Sequence, residues 1–225
     1  MTIRRWLYAA ILVSLTACVG GCTKSERIGE TTTLSSERPK YTPPKKTDLF
    51  GGTCVRSEPG CEQPKQVAIL AGGCFWGMEE ILRGIPGVLA TEVGYTGGGT
   101  KSPGYNEVKT GDSGHAESVR VAFNPEKISY EDLLEKWFFR MHDPTTENRQ
   151  GNDVGTQYRS AIFYLTPEQR RVAEVVKKRV NASGKWESPV VTQIVAASAF
   201  TPAEAYHQKY LQKNPNGYTC HYLRD

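Results

Sequence analysis

The sequence predicts an α+β domain built as a two-layer α/β sandwich, in which helices pack against one mixed sheet. From residue 66 onward, segments of strand and helix periodicity follow in the order strand, helix, strand, strand, helix, strand, helix, strand, helix. This mixed order favours a two-layer domain over a doubly wound parallel sheet. The composition, 38% hydrophobic and 23% charged residues, is typical of a globular domain.

Residues 1–17 resemble a bacterial export signal. Two arginines precede an apolar run, Trp6 to Leu15, that is too short to span a bilayer as a stable helix. The run leads into Leu15-Thr16-Ala17-Cys18, which resembles the lipobox, where the signal peptide is cut before a cysteine that is then acylated. We expect lipidation of Cys18; a plain secretory cleavage after Ala17 and a second lipobox ending at Cys22 are the alternatives.

Residues 18–65 are expected to comprise the lipidated cysteine and a flexible tether. Within them, residues 23–49 are rich in Thr, Ser, Lys, Glu and Pro and show no apolar period. A flexible coil of this length reaches about 40 Å, so the folded domain floats clear of the lipid. We therefore expect the protein in the bacterial cell envelope, anchored to a membrane and facing the periplasm or the exterior.

The charge balance is mildly basic. The formal net charge is +4, and without residues 1–17 it is +2, because 26 basic residues then face 24 acidic ones. Such a small excess gives no reason to expect binding to nucleic acid.

The domain is organised around Gly72-Gly73-Cys74. The stretch Gln66 to Ala71 is predicted to be a buried strand, and apolar residues after Cys74 recur at helical spacing as far as Ile85. Because a helix N-terminus stabilises an anion, we expect the pKa of the Cys74 thiol to be lowered and the reactive thiolate to be favoured. The alternative is a buried structural cysteine.

Two further strands are predicted over Val88 to Tyr95 and His115 to Phe123. The glycine-rich loop between them, residues 96–105, lacks the lysine–serine ending of a phosphate-binding loop. In the second strand, alternation of Val119, Val121 and Phe123 with more polar residues extends backwards to place Glu117 on the apolar face. Burial there raises the pKa of a carboxyl group and keeps it protonated, ready to donate a proton. The alternative is a strand-end glutamate that reaches solvent or a salt bridge.

The next helix is predicted to begin at Ser129 and to end before Pro144. A long polar loop, residues 143–160, follows it, and such loops inside compact domains are usually functional or disordered. The loop leads into a predicted strand over Tyr158 to Leu165, in which Tyr158 and Ser160 share a face.

The last part of the chain contains three predicted elements and a tail. Thr166 begins a helix that runs to about Ala182, and Val190 to Ala197 is an apolar strand. The sequence Thr201-Pro202-Ala203-Glu204 is predicted to open a final helix. Beyond it lies a short tail with Cys220, and such a tail is mobile unless it is tied down.

Six cysteines occur, at positions 18, 22, 54, 61, 74 and 220. Because an exported protein meets an oxidising compartment, pairing is expected for some of them. Cys54 and Cys61 flank a turn-like stretch, and they either close a small loop as a disulfide or exchange with a third thiol.

Four motifs in this order resemble the A-type peptide methionine sulfoxide reductases. They are Gly73-Cys74-Phe75-Trp76-Gly77, Gly114-His115-Ala116-Glu117, the stretch 151–160 from Gly151-Asn152-Asp153 to Arg159-Ser160, and Asn214-Pro215-Asn216-Gly217-Tyr218. The resemblance covers about residues 66–222. It implies reduction of the S epimer of methionine sulfoxide, free or in oxidised proteins, by a domain spanning residues 66–225. The fold we expect is a ferredoxin-like plait followed by a long C-terminal coil tail.

The resemblance also implies roles for individual residues. Cys74 attacks the sulfoxide sulfur, and Glu117 acts as the acid on the sulfoxide oxygen. Further site residues are Tyr105 and Tyr158 at that oxygen, Phe75 and Trp76 at the substrate methyl group, and Asp153 in the same site. The products are methionine and a sulfenic acid on Cys74, which condenses with another thiol.

Cys220 is the expected resolving thiol, and a thioredoxin-like dithiol is the expected external reductant. No metal or organic cofactor is implied, and we expect a monomer. Some members of the family carry a second tail cysteine that relays the disulfide outward. This chain has Cys220 alone in its tail, so Cys54 or Cys61 is an alternative relay.

Three rival functions deserve a test. A cysteine hydrolase would pair Cys74 with His115 or His207 as its base. A metal-binding protein would need paired Cys/His ligand spacing, which the core lacks. A lipoprotein that senses oxidants through Cys74 would not turn over a methionine sulfoxide peptide.

Overall fold

The computed structural model describes Phe50 and residues 64–225. The predicted signal peptide, the lipidation of Cys18, most of the tether and the pairing of Cys22, Cys54 and Cys61 lie outside the described residues. Within the described part of the chain, no helix is long and apolar enough to cross a membrane.

The described elements follow the predicted order, with several short additions. The first half contains β1 (Gln66–Gly72), α1 (Phe75–Arg83), β2 (Val88–Thr96), α2 (Tyr105–Val108) and β3 (Ala116–Phe123). The next helix has three consecutive parts, α3 (Tyr130–Asp132), a π-helical stretch (Leu133–Phe138) and α4 (Phe139–Met141). The second half contains β4 (Arg149–Gln150), β5 (Asp153–Val154), a 3₁₀ helix (Thr156–Tyr158), β6 (Ser160–Tyr164), α5 (Pro167–Ala182), β7 (Gln193–Ala196), β8 (Thr201–Pro202) and α6 (Tyr210–Lys213).

The main sheet is mixed, as predicted. Its strand order is β7-β6-β1-β3-β2-β8, and β4 and β5 form a separate hairpin. The β6–β7 pair is parallel, whereas the other pairs of the main sheet are antiparallel. The β1–β3 register pairs Leu70 with Val119. It therefore brings the end of β1, just before Cys74, beside the start of β3, which carries Glu117.

The helices cover one face of this sheet. Leu70, Val93 and Val121 from the strands form a single core cluster with side chains of α1, the π-helical segment and α5. On the opposite face a smaller cluster, centred on Ile69 and Phe163, is covered by coil residues that include Phe200. The period-two alternation of the strands thus directs one set of residues to the helices and the other to the coil.

The predicted helix starts at Ser129 and Thr166 are confirmed by their caps. The Ser129 hydroxyl accepts a hydrogen bond from the Asp132 amide, at 3.0 Å. The Thr166 hydroxyl accepts one from the Gln169 amide at 3.2 Å, and Pro167 follows at the first helical position. Each cap satisfies a donor that the first helical turn cannot pair internally.

The predicted helix at Thr201 is wrong. Thr201–Pro202 instead forms the edge strand β8 against Gly94 and Tyr95 of β2. The Ala203 amide donates to the Val93 carbonyl at 2.9 Å, and the Gln208 side chain bonds both backbone groups of Val93. Hydrogen bonds to an otherwise unpaired sheet edge therefore outweigh the local helix-start signal.

The predicted strand over Tyr158 to Leu165 is shorter than expected. Tyr158 belongs to the 3₁₀ helix, and β6 begins two residues later at Ser160. Tyr158 is therefore not constrained by pairing in the sheet, and its side chain can contribute to the site around Cys74.

Candidate active site

Cys74 lies at the N-cap position of α1, immediately after the turn that ends β1. Gly73 makes this turn with φ of +105°, a conformation that L side chains rarely adopt. A Cβ at Gly73 would also lie 2.6 Å from the Gln150 side chain. The strand–turn–helix sequence thus fixes the direction of the Cys74 side chain.

The prediction of a lowered Cys74 pKa is wrong for this resting site. The thiol is 7% exposed, and burial raises its pKa, with further upward contributions from the charges of Glu117 and Asp153. The amide of Trp76 donates to the sulfur and acts in the opposite direction. Desolvation of a buried anion thus exceeds the stabilisation offered by one helical turn, and the resting thiol keeps its proton.

The prediction for Glu117 is confirmed. This carboxyl group is 2% exposed at the start of β3, and burial raises its pKa to about 8. Its Oε2 accepts the Phe75 amide at 3.1 Å, a contact that lowers the pKa but does not cancel the effect of burial. Because Phe75 directly follows Cys74, a protonated carboxyl group and a thiol lie side by side at neutral pH.

Tyr105 and Tyr158 approach the same place from two different loops. Burial raises the pKa of each hydroxyl, and the next cause in each case is the charge of Glu117. Cys74 and Asp153 also raise both values. The two hydroxyls therefore keep their protons at neutral pH, and the charges that raise their pKa values come from the same groups, Glu117, Cys74 and Asp153.

An aromatic cluster forms the opposite side. The Trp76 indole stacks on Tyr210 at a centroid distance of 3.7 Å, and its N–H donates to His207 Nδ1 at 3.0 Å. The His207 ring also packs against Phe75 at 5.2 Å and Tyr105 at 4.6 Å. Phe75 and Trp76 are thus held as a rigid apolar wall beside the thiol.

The C-terminal tail closes the site from above Gly73 and Gly77. His221 Nε2 bonds the Gly72 carbonyl at 2.8 Å, and the Cys220 sulfur donates to Asp153 Oδ2 at 3.4 Å. The backbone amide of Cys74 donates to the Cys220 sulfur. Burial, with Asp153, raises the pKa of Cys220 to about 11, and both cysteines are free thiols.

Comparisons with known proteins agree with this geometry. A family sequence model described as "Peptide methionine sulfoxide reductase" matches residues 66–225. Peptide methionine sulfoxide reductase MsrA of Nocardia farcinica is 57% identical over 157 residues, which are 70% of this chain and 89% of that protein. The chain belongs to the peptide methionine sulfoxide reductase family.

Solved structures place the reductase domain in the same fold. Reduced Mxr1 of Saccharomyces cerevisiae matches with a TM-score of 0.67 and 39% identity over 72% of this chain and 93% of that one. Methionine sulfoxide reductase A of Corynebacterium diphtheriae matches with a TM-score of 0.61 and 38% identity over 73% and 80%. The domain is accordingly a peptide-methionine (S)-S-oxide reductase, which reduces methionine sulfoxide by thiol chemistry.

The hydrolase alternative requires His115 or His207 as the base, and other contacts hold both rings. His115 bonds the Gly98 amide and the Thr100 carbonyl, so it organises the glycine-rich loop. His207 is engaged by Trp76. Among the described residues, no group of three or more His, Cys, Asp or Glu side chains could hold a metal ion.

For several residues of the site, the sequence contains no local indication of the contacts that they make. His207 and Tyr210 lie in a segment that is predicted to be helical, and Glu204 is interpreted as an acidic residue in the first turn of that helix. His221 belongs to a tail without periodicity. Their contacts span more than a hundred positions, as from Trp76 to His207, so local pattern could not find them.

Proposed function

We propose that Cys74 attacks the sulfur of methionine sulfoxide while Glu117 delivers a proton to its oxygen. The observation that carries this proposal is the buried Glu117 carboxyl group, whose Oε2 lies 3.1 Å from the Phe75 amide and whose pKa is about 8. A sulfoxide oxygen is a poor leaving group, so its departure from sulfur needs a positioned acid. At neutral pH this carboxyl group holds the required proton.

The surrounding side chains orient the substrate. The hydroxyls of Tyr105 and Tyr158 keep their protons and donate hydrogen bonds to the sulfoxide oxygen. Phe75 and the indole of Trp76 contact the methyl group on sulfur. Asp153, beside Cys220 and Tyr218, faces the part of the substrate nearest the surface.

The reduction is a two-electron transfer from Cys74. Glu117 protonates the oxygen, which makes the substrate sulfur positive and so favours ionisation of the nearby thiol. The thiol proton passes to the carboxylate that Glu117 has just become. The hydroxyl group then moves from the substrate sulfur to the Cys74 sulfur as the transient bond between the two sulfurs breaks. Methionine is released, Cys74 is left as a sulfenic acid, and Glu117 is again protonated.

Cys220 then resolves the sulfenic acid. The Cys74 backbone lowers the pKa of Cys220, and Cys220 in turn raises the pKa of Cys74, which supports a close approach of the two thiols before any oxidation. Attack of Cys220 on the oxidised Cys74 sulfur forms a disulfide and releases the oxygen as water. An external thioredoxin-like dithiol reduces this disulfide, and the sum converts one sulfoxide and one dithiol into methionine, a disulfide and water.

Two cysteine variants test this assignment. With one equivalent of a methionine (S)-sulfoxide peptide, Cys74→Ser is expected to form no methionine. Cys220→Ser is expected to form one equivalent and then to stop, with Cys74 as a sulfenic acid trapped by dimedone. Mass spectrometry of the parent after one turnover should show a Cys74–Cys220 disulfide. Methionine formation by Cys74→Ser, or a disulfide to a different cysteine, would contradict the proposal.

We further propose that the reductase is a lipid-anchored protein of the bacterial cell envelope. Support comes from the sequence: a basic start, the apolar run before Ala17, Cys18, and the polar residues up to 65, which precede the family match. In a bacterial host, Cys18→Ser should move the protein from the detergent phase to the aqueous phase in Triton X-114 partition. Unchanged partition of that variant would refute the anchor at Cys18.

Two finer assignments belong to the same proposal. The central order β6-β1-β3-β2, with all pairs antiparallel, supports the ferredoxin-like plait as the core of the fold. We infer a monomer in solution, to be checked by light scattering of the purified full chain.

A further inference from the structure

One carboxylate stands between the two sides of the substrate site. Glu204 follows the edge strand β8, and its two oxygens reach two other segments of the chain. Oε1 accepts the backbone amide of Tyr105 at 2.8 Å, and Oε2 accepts the hydroxyl of Tyr95 at 2.9 Å. Tyr95 is fully buried in β2, so Glu204 joins the start of α2 to a fixed point of the sheet.

The first contact controls Tyr105. This residue begins α2, a helix of four residues that follows a glycine-rich loop. Such a short helix has little stability of its own, so its position depends on tertiary contacts. The hydrogen bond from the Tyr105 amide to Glu204 is charge-assisted, and it fixes the backbone from which the Tyr105 hydroxyl projects.

Glu204 thus acts on the site through two arms: the first is its hydrogen bond with the Tyr105 amide, and the second is its effect on His207. His207 Nδ1 accepts the Trp76 indole N–H, and an indole nitrogen acts as donor only. The uncharged ring must therefore carry its proton on Nε2. That atom is buried with no hydrogen-bond partner among the described residues, and it lies 3.9 Å from Glu204 Oε2.

A carboxylate at this distance favours the tautomer that Trp76 requires. It attracts a proton on Nε2 and would repel a lone pair there. Burial lowers the pKa of His207, so at neutral pH the ring is uncharged and the choice of tautomer decides whether it can hold the indole. Without that charge, the tautomer with its proton on Nδ1 becomes available. Its N–H would face the indole N–H of Trp76, and the hydrogen bond that holds the indole would be lost.

We propose that Glu204 is a positioning residue that holds both substrate contacts at once, Tyr105 through its backbone amide and Trp76 through the tautomer of His207. The catalytic consequence rests on the proposed function, in which Tyr105 binds the sulfoxide oxygen and Trp76 the methyl group. The expected tautomer of His207 does not depend on the proposed function, and it is measured without substrate.

Two substitutions separate the arms. Glu204→Gln keeps an oxygen that accepts the Tyr105 amide but removes the charge facing His207. Glu204→Ala removes both. The matched control is Glu187→Ala, which removes an exposed carboxylate that takes no part in these contacts.

The first readout is the His207 tautomer, measured by ¹⁵N NMR at pH 7.5 and assigned with His207→Asn. We expect Nε2–H in the parent and in Glu187→Ala, and a mixture or the Nδ1–H form in Glu204→Gln. A purely structural role for Glu204 would leave the tautomer unchanged. An unaltered Nε2–H spectrum in a folded Glu204→Gln protein would overturn the His207 arm of the proposal.

The second readout is the single-turnover rate with a methionine (S)-sulfoxide peptide. We expect this rate to fall about tenfold or more for Glu204→Ala and less for Glu204→Gln, with Glu187→Ala unchanged. In a Tyr105→Phe background, Glu204→Ala should cost less than it does alone, because both changes act on one group. Full additivity would overturn the Tyr105 arm. Should Glu204→Ala fail to fold, the same cycle is run with Glu204→Asp, whose shorter side chain withdraws the acceptor from the Tyr105 amide.

Discussion

The two reactive thiols sit in regions of opposite character. Cys74 joins β1 to α1, and Glu117, its proposed acid partner, lies near the start of the neighbouring strand β3, so regular secondary structure holds both in place. Cys220 lies in coil, and its region is attached by a few individual contacts. These contacts include the hydrogen bonds of His221 with the Gly72 carbonyl and of Cys220 and Tyr218 with Asp153. The Arg224 amide also donates to the Arg140 carbonyl, and the Arg140 side chain donates to the Arg224 carbonyl.

This difference matches the two halves of the chemistry. Breaking an S–O bond needs an acid held at a fixed place beside the nucleophile, which a sheet register provides. Resolution and recycling need a thiol that first lies against Cys74 and later presents a disulfide to an external reductant. A segment tied by a handful of side-chain contacts opens at lower free energy than the sheet. We therefore expect changes in the two regions to affect different steps.

The largest separation is expected from Glu117→Gln. Glutamine keeps the size of the side chain and its acceptor for the Phe75 amide but carries no proton to give. The single-turnover rate of methionine formation should fall by about 10²–10⁴, the usual contribution of a general acid. Rapid-quench measurement checks this, with Cys220→Ser as the control that keeps the first turnover within about twofold. A similar fall in the single-turnover rate of both variants would contradict the assignment of the Cys74 region and the tail to different steps.

A smaller effect, confined to the tail, is expected from Gly77→Ala. A Cβ at Gly77 would lie 2.3 Å from Thr219 Oγ1 and 2.7 Å from His221 Nδ1, so the tail must shift. The helix itself tolerates alanine better than glycine. Disulfide formation after the first turnover should slow by about tenfold to a hundredfold, because a small displacement of Cys220 spoils its approach to Cys74.

The rate of thiol loss measures that step, and methionine formation in the same experiment should stay within about threefold. Gly99→Ala is the matched control, since a Cβ there meets no atom within 4 Å. If Gly77→Ala slowed methionine formation as much as disulfide formation, the tail would be part of the rigid region.

The smallest effect is expected for the pH dependence of the single-turnover rate, which reports on the Cys74 region and not on the tail. The folded pKa of Glu117, about 8, lies above its ordinary value, so the protonated acid is present below that pH and is lost above it. Between pH 7 and pH 9 the single-turnover rate should fall by about tenfold as this proton is removed. Glu117→Gln should show no decline centred near pH 8, and an unchanged rate in the parent would exclude Glu117 as the acid.

Some of the site could be predicted because its determinants are local. The apolar run before Gly72, the helical spacing after Cys74 and the alternation through Val119 place one thiol and one buried carboxyl group. Alternation placed Glu117 on the apolar face, where burial raises its pKa, but it left open a strand-end glutamate that reaches solvent, and the family resemblance favoured the buried one.

The errors have one physical origin. The Cys74 pKa is raised because burial depends on everything that covers the sulfur, including the tail, whereas the sequence showed only the helix end. The segment at Thr201 pairs with β2 because an open sheet edge lies within reach, and no local signal announces an open edge.

The sequence by itself determined the order of the main elements, the strand–turn–helix that carries Cys74, and the inward face of Glu117. Periodicity and turn chemistry act within a few residues, so they can be read without the fold. The tertiary structure alone decided how strongly the Cys74 thiol is buried and that it keeps its proton. It also decided the contacts of His207 and Glu204 with the site and the position of Cys220. Those properties depend on desolvation and on contacts between segments far apart in the sequence, which arise only when the chain has folded.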